Sequence, residues 1–275
     1  METIEFLPLV KAYPALSKTY GEVSCIAGVQ ITPAGPRWIR LYPVPFRALD
    51  DRQQFRKYQR IRVAVERHRR DQRPETRRPD RDSIELLGDP IPTRDDWAMR
   101  RRFVEPLMAE SMCEIQRRQG EHRTSLGVFR PSRVLGLDIR PADVRASKAD
   151  IARAWAAQGS LLDTVGEDER DSQLRALELI PWTFRLRYEC SDPGCRSHVQ
   201  SVIDWEIAQY FRRVRNVANW QDKIQRKLLD EVCGSDRDTA LFVGNQHQHP
   251  TSFLILGFWW PRRRPEQMRM PIEVS

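Results

Sequence analysis

The chain is poor in lysine and has no long hydrophobic run. Lysine supplies only six of its 46 basic residues, an imbalance typical of proteins from GC-rich bacterial genomes. No apolar run approaches the roughly 20 residues that cross a bilayer, and the N-terminal residues lack the basic-then-apolar order of a signal peptide. Five cysteines, an odd number, without a secretion signal favour a reducing compartment. We therefore expect a cytoplasmic bacterial protein with no membrane partner.

Several catalytic signatures are missing as well. The sequence contains no Walker loop, no Gly-x-Gly-x-x-Gly fingerprint, no Gly-x-Ser-x-Gly elbow and no kinase signature. Nucleotide hydrolysis and serine-hydrolase chemistry therefore have no support in the sequence. At 275 residues the chain is long enough to bury one large core or two smaller ones.

The positive charge is concentrated in one segment. The formal net charge is +8, and residues 52–78 alone hold eleven basic side chains against three acidic ones. Such a segment attracts polyanions and speeds their encounter. We expect a nucleic-acid partner, and the alternative is a solvated basic loop in an arginine-rich protein.

The first third of the sequence has the pattern of short strands. Residues 22–32, 38–42, 61–65 and 84–87 are rich in alternating apolar residues, with turn residues between them. Residues 71–82 carry alternating charge and two prolines without an aliphatic side chain, which predicts a mobile loop. We assign residues 1–92 to a basic β-barrel domain.

The rest of the chain divides into a helical region and a mixed module. Residues 93–180 are predicted to be a mostly helical connection, with a short strand at 132–140 and a break or kink at Pro106. In residues 181–275 a strand from Trp182 to Cys190 leads through a Cys/His turn into a long helix. The spacing of Ser197 and Gln200 predicts that helix to start at Ser197 and to run to Val232. A β-hairpin of residues 241–244 and 253–260 closes the module.

The turn contains soft metal ligands at close spacing. Cys190 and Cys195 are separated by an Asp-Pro-Gly turn, and His198 follows three residues later. Thiolates and imidazole are ligands that zinc prefers, so we predict a zinc site, structural in preference to catalytic. The fourth ligand stays open between Cys25, an unidentified residue and water. The alternative is two free thiols and a histidine that caps a helix.

A water ligand would make the site catalytic, because an open position on zinc generates a nucleophile. Glu206, or less favourably Asp204, would then serve as general base beside His198 in a metal-dependent nuclease or phosphodiesterase. His247 and His249 form a His-x-His pair in the hairpin turn and are further candidates. At about 1.5 Å per residue the long helix would be about 50 Å long, so these histidines reach the metal only if it bends, near Asn216 or Asn219.

Aromatic and basic side chains are interleaved in the barrel segment. Rings that stack on bases and cations that follow phosphates are what single-stranded DNA or RNA binding requires. The residues that we predict to bind nucleic acid are Trp38, Arg40, Tyr42, Arg47, Arg56, Lys57, Arg60 and Arg62.

The segment from Ser24 to Val29 (Ser-Cys-Ile-Ala-Gly-Val), followed by Trp38-Ile39-Arg40, resembles the opening of bacterial proteins that contain paired OB-like domains. The resemblance covers roughly residues 20–70 and implies a small OB-like barrel that commonly binds nucleic acid. The remainder resembles an uncharacterised bacterial family.

The expected fold class is therefore α+β, with an N-terminal OB-like barrel and a C-terminal module of strand, Cys/His turn, long helix and β-hairpin. The expected function is nucleic-acid binding with a structural zinc. A metal-dependent nuclease is the first alternative, and a small-molecule sensor or protein-interaction module is the second.

Overall fold

The computed structural model describes residues 1–17, 21–142 and 180–264. Five strands form a closed β-barrel at the N-terminus, which confirms the barrel and the α+β class. These strands are β1 (Glu2–Lys11), β3 (Gly21–Thr32), β4 (Gly35–Val44), β5 (Ile61–Arg67) and β6 (Thr76–Pro79), while β2 (Ala15–Ser17) pairs with β3 and β7 (Glu85–Leu86) pairs with β5.

The barrel closes because β1 pairs with both β3 and β5. The order around it is β1, β3, β4, β6, β5 and back to β1, and β4–β6 is its one parallel pair. The alternation predicted for the third strand is confirmed: Ile61, Val63 and Val65 are buried, whereas Arg62 is exposed. The side chains that point into the barrel form its core.

The second half of the chain contains two open sheets among its described residues. One has the order β14, β13, β9, β8, and the other has the order β10, β11, β12. Their strands are β8 (Met108–Ala109), β9 (Leu126–Phe129), β10 (Arg133–Pro141), β11 (Trp182–Glu189), β12 (His198–Ser201), β13 (Ala240–Asn245) and β14 (Phe253–Trp259). The described helices are α1 (Arg94–Val104), α2 (Met112–His122), α3 (Trp205–Val214) and α4 (Trp220–Gln225), the last continued by a π-helical segment, Arg226–Val232.

The barrel packs directly against the four-stranded sheet. Leu7 and Val29, on its outer face, share a buried cluster with Val128, Phe242 and other residues of the sheet. The predicted strands at 132–140 and 182–190 and the C-terminal hairpin are confirmed. Residues 143–179 of the predicted helical connection lie outside the described residues.

The prediction of a loop over residues 71–82 is wrong in part. Thr76–Pro79 forms β6, which fills the gap between β4 and β5 and closes the barrel. Thr76 is buried although the strand has no aliphatic residue. Backbone hydrogen bonds to β4 and β5 hold this strand in place. The pattern of side chains in the sequence does not reveal such bonds.

The prediction of one long helix from Ser197 to Val232 is also wrong. His198–Ser201 forms β12 and pairs with β11 instead. The helix begins at Trp205, because the Asp204 carboxylate accepts hydrogen bonds from the backbone N–H groups of Glu206 (2.5 Å) and Ile207 (3.1 Å). Residues 215–219 then separate α3 from α4, so the predicted helix is interrupted in the segment that contains Asn216 and Asn219.

Gly28 allows the closest approach in the barrel wall. A Cβ atom at this position would collide with the Leu7 carbonyl oxygen and would lie 2.8 Å from Cζ of Phe6. We predict that Gly28→Ala lowers the free energy of unfolding by about 3 kcal/mol or more, because β1 and β3 must separate. Gly120→Ala, on α2 with nothing within 4 Å of the new methyl, should raise it by about 0.5–1 kcal/mol. Urea denaturation of both variants measures the contrast, and equal effects would contradict it.

Candidate functional site

Three cysteines and one histidine converge in the second half of the chain. Ligand atoms of Cys113, Cys190, Cys195 and His198 all lie within 4.8 Å of one another. We call these four residues the Cys/His cluster. They come from the first turn of α2, the end of β11, the following turn and the start of β12.

The spacing inside the cluster matches the edges of a metal-centred tetrahedron. The Sγ atoms of Cys190 and Cys113 are 3.6 Å apart, and Nε2 of His198 lies 3.4 Å and 3.5 Å from them, respectively. Zinc bonds of about 2.3 Å to sulfur and 2.0–2.1 Å to nitrogen give tetrahedral edges of about 3.8 Å and 3.6 Å. The four residues can therefore hold one metal ion with little movement.

Helix α2 places Cys113 through its N-terminal cap. The Ser111 hydroxyl accepts a hydrogen bond from the Glu114 N–H at 3.0 Å, and the Glu114 carboxylate accepts one from the Glu110 N–H at 2.7 Å. Cys113 is the second residue of the helix, so this cap fixes its position.

The turn after β11 is docked onto the same end of α2. Asp192 accepts hydrogen bonds from the Gly194 N–H (2.9 Å) and from the Arg117 guanidinium (2.7 Å), and the Ser191 hydroxyl donates to the Glu110 carbonyl (2.6 Å). These bonds hold Cys195 beside Cys190, whose N–H contacts the Cys195 Sγ at 3.4 Å.

Strand pairing places His198. It lies opposite Tyr188 in the β11–β12 ladder, and its ring stacks on the Tyr188 ring at 5.2 Å. The Tyr188 hydroxyl donates to Gln200 at 2.7 Å, which fixes the stacking surface. The histidine ring is thus oriented before any metal binds.

The pKa values of the Cys190 and Cys113 thiols, which are in contact, are shifted in opposite directions. Burial raises the pKa of Cys190, but hydrogen bonds to its sulfur outweigh this effect and lower the pKa to about 6. These bonds come from the backbone N–H groups of Cys113 and Asp192 and from the side chains of His198 and Cys195. Burial and the adjacent Cys190 raise the pKa of Cys113 to about 12. Metal ligands must be deprotonated, so metal binding to the cluster releases protons.

The cluster contains the three predicted ligands and adds Cys113, which sequence reasoning did not identify. The available signal was the capping box Ser-Met-Cys-Glu at 111–114, which fixes Cys113 in the first turn of a helix. Cys25, considered as a fourth ligand, lies elsewhere, in a cleft at the barrel surface.

The catalytic version of the site is not supported. Asp204 is the buried cap of α3, and the Glu206 carboxylate pairs with Lys57 of the barrel at 2.9 Å. Neither carboxylate belongs to the Cys/His cluster, nor do His247 and His249. Four protein ligands also complete a tetrahedron and leave no position for a reactive water.

A second site lies where the barrel meets the β13–β14 turn. We call it the barrel cleft: a cavity of about 720 Å³ between β3, β4, the β5–β6 loop (68–75) and the turn of residues 246–252. Its polar lining includes Arg40, Tyr42, His68, Asp71, Asn245 and His247.

An ion-pair network forms one wall of the barrel cleft. The buried Asp71 carboxylate accepts bonds from Arg73 at 2.9 Å and 2.5 Å, and Nδ1 of His247 lies 3.3 Å from it. Burial opposes ionisation of Asp71, yet the Arg73 hydrogen bonds lower its pKa to about 2. Arg73 also donates to the Asn245 carbonyl at 2.6 Å and so ties the loop to β13.

His68 presents an unsatisfied polar atom in the same cleft. Its Nδ1 accepts hydrogen bonds from the N–H groups of Asp71 (2.8 Å) and Arg70 (3.2 Å), so the proton of the neutral ring is on Nε2. Among the described residues that buried Nε2 has no hydrogen-bond partner, and neither has the buried Oδ1 of Asn245. Burial lowers the pKa of His68 and keeps the ring neutral at pH 7.

The eight predicted nucleic-acid residues do not form one surface. Arg40 and Tyr42 line the barrel cleft, although Arg40 is 1% exposed and donates to the Ser125 hydroxyl at 2.6 Å. Trp38 packs edge-on against Phe242 in the interface with the sheet. Trp38 is half-buried there, and its contact with nucleic acid stays a prediction.

The remaining basic residues are dispersed. Arg60 pairs with Glu5 at 3.0 Å and Arg62 with Glu85 at 2.6 Å on the outside of β5. Arg56 and Lys57 line a different cavity. Arg47 is half-buried and does not line the barrel cleft. The acidic residues that pair with Arg60 and Arg62 come from other strands. The excess of positive charge counted along the sequence is therefore larger than the excess on the barrel surface.

The chain belongs to the family defined by a domain of unknown function, DUF8757, whose model matches residues 108–274. Residues 2–106 match a second domain of unknown function, DUF8758. The two matches meet in the short 3-10 turn Glu105–Leu107, between the barrel and the two open sheets. No curated protein matches the chain. Within the described residues, every helix is too short or too polar to cross a membrane.

We predict that Cys113→Ser removes bound metal as completely as Cys190→Ser does, because each supplies one of four ligands. Metal content should fall from about one ion per chain to near zero, and the melting temperature should fall by at least about 5 °C. Elemental analysis of untagged protein and melting curves with and without chelator measure both effects. Cys25→Ser, outside the cluster, is the matched control, and a wild-type protein indifferent to chelator would contradict the prediction.

Proposed function

We propose that this chain binds single-stranded nucleic acid in the barrel cleft and that a structural zinc ion occupies the Cys/His cluster. The observation that carries the first part is the position of the cleft on the barrel. The strands β1, β3, β4, β5 and β6 are connected as the five strands of an OB-fold are, with the third and fifth parallel. OB-folds bind oligonucleotides on the face of the second and third strands, next to the loop between the fourth and fifth.

The barrel cleft occupies the corresponding place. Residues Arg40 and Tyr42 come from the third strand, and His68, Arg70 and Asp71 come from the loop after the fourth. The resemblance of residues 20–70 to paired OB-like proteins supports the same interpretation. The 246–252 turn supplies the opposite wall, so a strand bound here would contact both halves of the chain.

The chemistry of the lining suits a single strand. Tyr42 is half-buried and offers a ring for stacking, while the exposed Arg70 offers a cation for phosphate. The unpartnered Nε2 of His68 and Oδ1 of Asn245 provide one donor and one acceptor for a base edge. Buried polar atoms without a protein partner are costly, which is understandable when a ligand satisfies them.

Zinc is the metal that best fits the cluster. Three thiolates and one imidazole form a Cys₃His set, a common structural zinc site, and the four ligands leave it closed. Zinc there would join α2 to the β11–β12 hairpin and stabilise the half of the chain that supplies the 246–252 turn.

Binding is tested by fluorescence anisotropy with short labelled oligo-deoxythymidine and oligo-uridine. Tyr42→Ala should weaken binding by about 1–3 kcal/mol, or roughly 5- to 150-fold, because one stacking surface is lost. Arg70→Gln should lower the slope of log affinity against log salt by about 0.7, the value for one phosphate contact on a single strand.

Arg62→Gln provides a matched control for the arginine variant. Arg62 is exposed on the barrel but pairs with Glu85 away from the cleft, so its loss should leave affinity and salt slope nearly unchanged. Absence of oligonucleotide binding at low salt would refute the proposal, as would equal losses in the Arg62 and Arg70 variants.

A second candidate function is cleavage of RNA in the same cleft. The observation that favours it is the pairing of His247 with Asp71, which orients the imidazole, together with the position of His68, whose Nε2–H has no partner among the described residues. His247 can take the proton of a ribose 2′-hydroxyl, and the neutral His68 can donate a hydrogen bond to the phosphate, while water protonates the departing 5′-oxygen.

Incubation with labelled RNA and DNA, with and without added divalent metal, tests this function. We predict cleavage of RNA but not of DNA, lost in His247→Gln while oligonucleotide binding persists. Glu206→Gln should retain full activity, since Glu206 pairs with Lys57 outside the cleft. Intact RNA under every condition would leave binding as the function.

A further inference from the structure

A second large cavity lies between the barrel, α1 and α3. Its volume is about 860 Å³, within the range of small-ligand sites. We call it the cationic cavity, because six basic side chains line it against the single carboxylate of Glu206. The basic residues are Lys11, Arg56, Lys57, Arg100, Arg212 and Arg213.

Only part of this charge is neutralised by the protein. Lys57 pairs with Glu206 at 2.9 Å and approaches the buried Asp204 at 3.9 Å. Lys11 and Arg100, in contrast, have no carboxylate within ion-pair distance among the described residues. Concentrated, unpaired cations that face a cavity predict an anionic ligand.

The side chains of Lys11 and Arg100 are fixed in place. Nζ of Lys11 donates to the Phe55 carbonyl at 3.2 Å and lies 3.8 Å above the ring of Phe46. Arg100 donates through Nε to the Ile91 carbonyl at 2.7 Å and lies 4.0 Å above the ring of Tyr58. Within the described part of the chain, the two Nη atoms of Arg100 make no hydrogen bond, so its guanidinium fork is available to a ligand.

Tyr58 adds an independent sign of a ligand. Its side chain is 3% exposed and lines the cavity, yet its hydroxyl has no hydrogen-bond partner in the part of the chain that the structure describes. Aromatic rings of Trp97, Trp205 and Trp260 line the same space. A ligand that combines several negative oxygens with a flat ring would satisfy the cations, the hydroxyl and the indole surfaces together.

We propose that the cationic cavity binds a nucleoside polyphosphate, with the phosphates on Lys11, Arg56 and Arg100 and the base against the tryptophans. The site is separate from the barrel cleft and does not depend on the function proposed there. Binding without hydrolysis is expected, because the sequence has no Walker loop.

Isothermal titration of the full chain at low ionic strength tests the proposal with ATP, tripolyphosphate and adenosine as probes. ATP should bind most tightly, tripolyphosphate more weakly and adenosine least. Arg100→Gln and Lys11→Gln should each weaken ATP binding by at least about 10-fold, the loss expected for one charge-assisted contact. Melting curves establish that both variants are folded.

The controls separate this site from the barrel cleft. Arg62→Gln and Tyr42→Ala should leave ATP binding unchanged, and Arg100→Gln should leave oligonucleotide binding unchanged. No ATP binding, or equal ATP affinity in the double variant of Lys11 and Arg100, would overturn the proposal. Tripolyphosphate binding as tight as that of ATP would overturn the part that concerns the nucleoside.

A polynucleotide end is the other source of the same chemical groups. Short RNA with a 5′-triphosphate and the same RNA with a 5′-hydroxyl are therefore tested as competitors of ATP. Neither should compete better than free ATP. A 5′-triphosphate RNA that binds this cavity more tightly than ATP would overturn the assignment to a small ligand.

Dependence on pH provides a further readout. Burial and the nearby positive charge of Lys57 lower the pKa of Lys11 to about 8, and the charge of Arg56 adds to this effect. The negative charge of Glu206 opposes it. Since the charged amine binds phosphate, affinity for ATP should fall as the pH rises through about 8. The fall should be absent in Lys11→Gln, and a fall of equal size in that variant would remove Lys11 from the site.

Discussion

The burial of Arg40 between the barrel and the four-stranded sheet is the interaction on which the rest of the structure depends. Its guanidinium donates to the hydroxyl of Ser125 at 2.6 Å and to the carbonyl of Ser125 at 2.8 Å. Ser125 in turn donates from its N–H (2.9 Å) and hydroxyl (2.6 Å) to the Glu75 carboxylate. A buried cation is stable only with such partners, so this network fixes the β5–β6 loop against β9 and sets the shape of the barrel cleft.

Local pattern in the sequence was enough for much of the barrel and for part of the metal centre. Alternating residues such as Ile61, Val63 and Val65 report one buried face directly, and Cys190, Cys195 and His198 are close because one short turn separates them. Strand β6 and the ligand Cys113 could not be predicted in that way. The first is held by backbone pairing with two partners, and the second meets Cys190 from a position 77 residues away.

The pairing of charges is another property that could not be predicted from the sequence alone. The net charge of residues 52–78 is a property of the sequence, but its effect depends on which acids the fold brings near. Glu5 and Glu85 neutralise Arg60 and Arg62 on the barrel surface, while Lys57 is held by α3. Lys11 and Arg100 are cations without a carboxylate within ion-pair distance among the described residues, and one lies before the basic segment and the other after it. The excess of charge in the basic segment is therefore a poor guide to which cations are unpaired.

The Cys/His cluster also imposes an order on biosynthesis. The barrel strands are complete once residue 79 has left the ribosome, and Cys113 follows soon after, but the last ligand of the cluster is His198. During that interval all the barrel strands are available, while Cys113 remains without the other three residues of the cluster. The turn of residues 246–252, which completes the cleft, is made later still. In an emerging chain the four residues of the cluster are therefore complete before the residues that finish the cleft.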